Sequence, residues 1–141
     1  MARLVGINHV AVEVGDLDEA IAFFERIFDG VMLRSRSGRM AFVDLGDQFL
    51  GLEAVDAPVA AGHYGLVVDD REQAVRRARE AGARVAGGHD VLDPWGNRWQ
   101  LVEYGEVQFM KTGRVLDGMG LAGLGKSERA LGELREKGLV D

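Results

Sequence analysis

The sequence predicts an α+β fold in which two tandem βαβββ modules form a single domain, followed by a C-terminal helical tail. Three observations carry that reading. The chain repeats itself, each copy changes from a period of two to a helical period just after an aspartate, and each then breaks into short extended runs. The repeat needs no gap. Residues 9–21 align with residues 63–75 at an offset of 54, with His9/His63, Val14/Val68, Asp16/Asp70 and Ala20/Ala74 identical.

The first strand is expected over residues 7–14, where Val10, Val12 and Val14 share one face and His9, Ala11 and Glu13 the other. Its counterpart sets Tyr64, Leu66 and Val68 against His63, Gly65 and Val67. Asp16 with Glu19, and Asp70 with Gln73, have the spacing of helix N-caps with a capping-box partner. In the first helix Leu17, Ala20, Ile21, Phe24, Ile27 and Phe28 form one apolar stripe suited to covering a sheet. The second offers only Ala74, Val75, Ala78 and Ala81, so it is expected to sit closer to its strands. Its arginines, Arg71, Arg76, Arg77 and Arg79, read as a solvated face with Glu72–Arg76 and Arg76–Glu80 pairs. Extended runs follow at 31–36, 39–45 and 48–54 in the first copy, and at 83–86, 90–92 and 98–104 in the second. Residues 55–62 link the copies, and Asp93-Pro-Trp-Gly-Asn97 is a turn signal before the last strand. These boundaries define a domain over 1–104, with modules at about 5–55 and 62–104, and a tail over 105–141. In the tail, Ser127 to Lys137 reads as a short helix capped by Ser127, with Ala130, Leu131 and Leu134 as its stripe and Gly138 as its stop.

Composition fits one folded domain and excludes several functions. With 141 residues, 47% hydrophobic and 28% charged, the chain can bury roughly 68% of its unfolded surface, enough for a core without staples. It has no cysteine, hence no disulfide framework, thiolate zinc site or cysteine nucleophile. A net charge of −6 lacks the basic footprint that nucleic acid or anionic lipid requires. The longest stretch free of Asp, Glu, Lys and Arg is 12 residues, too short for a bilayer span. Asn8, His9 and Glu13 interrupt any signal-peptide core, so the expectation is a mature, cytoplasmic protein with a small-molecule ligand.

A duplicated βαβββ unit, a histidine on the first strand of each copy, Gly15-Asp16-Leu17 opening a helix, and Asp93-Pro-x-Gly-Asn97 before the last strand together resemble the vicinal oxygen chelate superfamily. That superfamily includes glyoxalases, bleomycin-resistance proteins and extradiol dioxygenases. The resemblance covers residues 5–104. It implies open half-barrels, frequent homodimers, and a divalent transition metal (Zn, Ni, Fe or Mn) held by residues of the first and last strands of each module. His9 and His63 fall on the first-strand positions. On the last strands the pattern departs: seven residues after Asp93, where metal-using members carry a glutamate, stands Gln100, and the matching residue of the first module is Gly51. Glu53, two residues on, reaches the metal if the strand carries a bulge, and is then also the candidate catalytic base; otherwise it faces solvent. Two imidazoles and a carboxylate would support lyase, isomerase or dioxygenase chemistry on a substrate with neighbouring oxygens. The alternative is a metal-free binding or sequestering protein with an aromatic cleft. Tyr104, on the Gln100 face by alternation, Trp95 at the cleft mouth, and Phe42 are its candidate substrate-binding residues, while Trp99 is expected beneath the helix.

Overall fold

A computed structural model of the chain describes residues 9–46, 48–59 and 62–141. The expected module appears twice. The first runs β1 (His9–Val14), α1 (Leu17–Ile27), β2 (Leu33–Ser37), β3 (Met40–Asp44) and β4 (Phe49–Ala54). The second runs β5 (His63–Val68), α2 (Arg71–Glu80), β6 (Arg84–Gly87), β7 (Asp90–Leu92) and β8 (Arg98–Glu103). Each forms its own four-stranded mixed sheet, in the orders β1-β4-β3-β2 and β5-β8-β7-β6, and neither closes into a barrel. The first and last strands of each module lie side by side and parallel, as β1–β4 and β5–β8. Residues 7 and 8 of the expected first strand, and 60 and 61 of the link, lie outside the described residues.

Both helices begin where their caps dictate. Asp16 accepts from the Glu19 amide and Asp70 from the Gln73 amide, each at 2.9 Å. The stripe of α1 is buried as expected from Leu17 to Ile27, with Phe28 half-buried at its end, and Phe23 is buried too, at 1% exposure. The reason is that α1 is covered on two sides. It lies on Val12, Val14, Leu50 and Leu52 of its own sheet, and its Phe24 ring meets Trp99 of the second sheet edge-on at 5.6 Å. The inner faces of both sheets therefore supply one shared core with the helices within it. Burying a side chain the size of Phe23 or Phe24 stabilises the fold by about 1.5–3 kcal/mol. Trp99 is 1% exposed beneath the helices. Arg77 departs from the solvated-face reading: its guanidinium crosses to the first module, donating to the Asp29 carboxylate at 2.9 Å and to the Arg26 carbonyl at 3.3 Å.

The turn at residues 93–97 joins the modules. The buried Asp93 carboxylate accepts from the backbone amides of Trp95 and Asn97, from Asn97 Nδ2 and from Trp99 Nε1, at 2.9–3.1 Å. Asn97 Nδ2 also donates to the Glu13 carbonyl at 2.9 Å, which fixes the turn to the end of β1. Beside it Trp95 fills the space over Gly15, where a Cβ would stand 2.6 Å from the indole nitrogen.

After β8 a 3₁₀ turn (Tyr104–Glu106) leads to α3 (Gly113–Gly118) and α4 (Glu128–Glu136). The last helix is the expected one, capped by Ser127, which accepts from the Ala130 amide. Helix α3 was not expected. It has six residues with glycine at each end, and only Leu116 in it is buried. Lys126 holds the tail to the domain. Its ammonium donates to the carbonyls of Tyr104, Val107 and Phe109 and lies 3.4 Å from the centre of the Tyr104 ring. Burial pushes its pKa below the ordinary lysine value. Among the described residues no helix is long and apolar enough to cross a membrane.

Candidate functional site

Because the inner faces face the core, the outer faces, which carry His9 and His63, point away from it. On the first sheet the register sets His9 beside Phe49, Ala11 beside Gly51, and Glu13 beside Glu53, with Asp44, Phe42 and Met40 next in each row. Gly51 has no side chain, so Phe42 reaches over it, and the His9 and Phe42 rings meet edge to face at 5.7 Å. Arg34 lies over the Phe49 ring at 4.3 Å. The result is an aromatic and cationic surface of exposed His9 and Arg34 with half-buried Phe42 and Phe49.

On the second sheet His63 pairs with Arg98 and Gly65 with Gln100. Arg98 donates to the buried Asp90 carboxylate, with both contacts at 2.6 Å, so its guanidinium is held toward β7, on the side of β8 away from the histidine strand. Gln100 is exposed on the same face. Both faces thus carry a histidine on the first strand and an arginine further into the sheet, and the last-strand partners of the two histidines, Phe49 and Arg98, are not carboxylates.

Glu53 is exposed near the end of β4. The pairing of β4 with both neighbours is regular, so the bulge that would bring Glu53 to a metal is not there. Four residues separate it from the row of His9, about 13 Å along the strand. The neighbouring Glu13 is half-buried and accepts from the Val59 amide at 2.8 Å, holding down the link between modules. The structure also places the other two aromatic candidates. Alternation ends at Glu103, and the turn that follows carries Tyr104 under Lys126, 6% exposed, where its hydroxyl meets the Lys111 backbone. Trp95 sits in the joint over Gly15. Phe42 is the one of the three that shares an outer face with a first-strand histidine.

The family follows from this architecture and from comparison. The glyoxalase-like domain family matches residues 9–102, which include both modules and the 93–97 joint. This chain belongs to the glyoxalase-like family of the vicinal oxygen chelate superfamily. Lactoylglutathione lyase from Salmonella typhimurium is 29% identical over 121 residues, covering 67% of this chain and 90% of that one. A glyoxalase family protein from Bacillus anthracis superposes with a TM-score of 0.59 at 25% identity, covering 73% of this chain and 98% of that one. Lactoylglutathione lyase from Agrobacterium tumefaciens shares the fold, with a TM-score of 0.58 at 22% identity, covering 72% and 96%.

The residues present do not fit a tightly held divalent cation. A metal on a first-strand histidine would find no carboxylate at the last-strand positions, where Gly51 and Gln100 stand. A side chain at 51 would require its neighbours to shift, because its Cβ would lie 3.1 Å from that of Ala11. Among the described residues of one chain, no three His, Cys, Asp or Glu side chains gather as a metal group. The sequence did not point to Arg34 or Arg98 as part of these faces. Arg98 had a signal, two residues before Gln100 on one strand; Arg34 lies beside a pairing irregularity in β2, which alternation does not foresee.

Proposed function

We propose that this glyoxalase-like protein binds a small oxygen-rich organic molecule, without a resident metal, between the outer sheet faces of two copies of the chain. The observation that carries this is the pairing of His9 with Phe42 and of Arg34 with Phe49 on one face, and of His63 with Arg98 on the other. Imidazole and guanidinium donate hydrogen bonds to neighbouring oxygens, and a guanidinium donates to both oxygens at once in a fork. The Phe42 and Phe49 rings supply the apolar wall. A homodimer in which the first face of one copy meets the second face of the other would place both sets around one ligand.

A second reading has one observation in its favour, the likeness to lactoylglutathione lyases over two thirds of the chain. In it His9, His63, the Gln100 amide oxygen and Glu53 hold Zn, Ni, Fe or Mn, and the chain is a metal-dependent lyase, isomerase or dioxygenase. Elemental analysis and melting with each metal separate the two. The binding reading expects less than one tenth of a metal per chain, no change in melting temperature with metal, and a rise with oxalate that Arg34→Ala or His63→Ala abolishes. One tightly held metal per chain, lost in His9→Ala/His63→Ala, would replace it with the second.

A further inference from the structure

A large concavity among the described residues is on neither outer face. It measures about 930 Å3 and lies between the modules, beneath α3. Phe24 of α1 and Phe28 just after it, Leu50 of β4, and Leu66 and Val68 of β5 form its apolar floor, and Val115 and Met119 its roof. That volume is within the range of about 300–1,000 Å3 usual for small-molecule sites. Neither His9, His63, Gln100 nor Glu53 lines it.

Acidic side chains outnumber basic ones around it. Asp29, Asp44, Asp69 and Asp70 line it against Arg77 and Arg114, with the Lys111 ammonium beside Gly46 at its edge, and Arg77 is already paired with Asp29. The other three carboxylates are positioned by backbone amides: Asp44 accepts from Gly46, Asp69 from Asp70, and Asp70 from Gln73. None of those three is in an ion pair among the described residues. Backbone amides orient a carboxylate without cancelling its charge, so an excess of negative charge borders an apolar chamber. The mouth is adaptable. Met32 and Met119 are 67% and 39% exposed there, and α3 is bounded by Gly113 and Gly118 and followed by Gly120 at φ +74°.

We propose that this chamber is a second binding site, for an apolar small molecule bearing a protonated amine. The hydrocarbon part lies against Phe24, Phe28 and Leu66, and the ammonium faces Asp44, Asp69 and Asp70. The inference stands apart from the outer-face reading, because it uses none of the same residues.

A matched pair of probes, 4-phenylbutylamine and 4-phenylbutyrate, tests it on the full chain by calorimetry and amide chemical-shift mapping. The amine is expected to bind at least fivefold more tightly than the carboxylate, with shifts centred on Leu66, Val68, Val115 and Met119. Asp44→Asn/Asp69→Asn should erase the preference. Val115→Trp should weaken the amine at least tenfold by filling the roof, and Met119→Trp, at an exposed position, does the same should the first fail to fold. Absence of binding, equal binding of both probes, shifts centred on His9 or Gln100, or an affinity unmoved by the folded tryptophan variant would each overturn the proposal.

Discussion

Gly51 decides more than its size suggests. Its lack of a side chain lets Phe42 approach His9 and leaves one last-strand position without a ligand. Gly51→Glu is expected to destabilise the chain by about 1–3 kcal/mol in urea unfolding, because the added Cβ crowds Ala11. Gln100 has no such constraint, being exposed, and Gln100→Glu should fold like the wild type while raising calorimetric affinity for Ni or Zn. An unchanged affinity would show that the second face cannot hold a metal even with its anion restored. Asp93 is the opposite case, a buried residue with a structural task. Asp93→Ala leaves four donors without their acceptor and should lower unfolding free energy by about 3 kcal/mol or more. A loss under 1 kcal/mol would mean that water replaces the carboxylate.

Elements with a strong period and a cap were legible in the sequence, and those held by distant partners were not. Helix α1 showed its cap and most of its buried stripe, but Phe23 lies off that stripe and is buried only because a second sheet covers it. Helix α3, with a glycine at each end and one turn of sequence, offers no period to detect. The outer faces were legible as far as alternation holds, which is why His9, His63 and Gln100 share faces as expected. Glu53 and Tyr104 depended on a bulge and on a strand end, both of which are set by pairing.

Helix α4 is tied down by ionic contacts that respond to pH. Glu133 accepts from Gln108 and then from Arg129, and these hold its carboxyl below the ordinary glutamate value. A carboxyl lowered in the folded state contributes fully above the ordinary value and loses that contribution as the pH falls through the lowered one. Hydrogen exchange in α4 should therefore accelerate on acidification below about pH 4 ahead of exchange in β4 and β8. Lys126→Met should loosen the same helix at neutral pH, by about 1–3 kcal/mol in its exchange protection, since it removes the charged donor to three carbonyls. Protection equal to the wild type in both experiments would leave the apolar contacts of Ala130 and Leu134 as the whole of the docking.

At the scale of the molecule, two sheets back onto one core and leave two outer faces and four sheet edges, β1 and β2, β5 and β6. Sedimentation should show a dimer if the outer faces of two copies form the binding site, and Phe42→Arg should shift it toward monomer. A wild-type monomer at 100 μM would break the two-copy reading while leaving the chamber beneath α3 intact.

The joint at residues 93–97 also sets the order in which the chain can mature. Its bond from Asn97 to Glu13 spans 84 residues, and the edge-on contact of Phe24 waits for Trp99. While the ribosome is still making the second repeat, the first has its strands and helix but only one of the two surfaces that bury α1, so Phe23 and Phe24 present a bare aromatic ridge. A finished second repeat from another polypeptide would cover that ridge as well as the chain's own. Dense polysomes would thus favour exchanged repeats between neighbours, and the same joint that makes one chain coherent gives two newborn chains a means of becoming entangled.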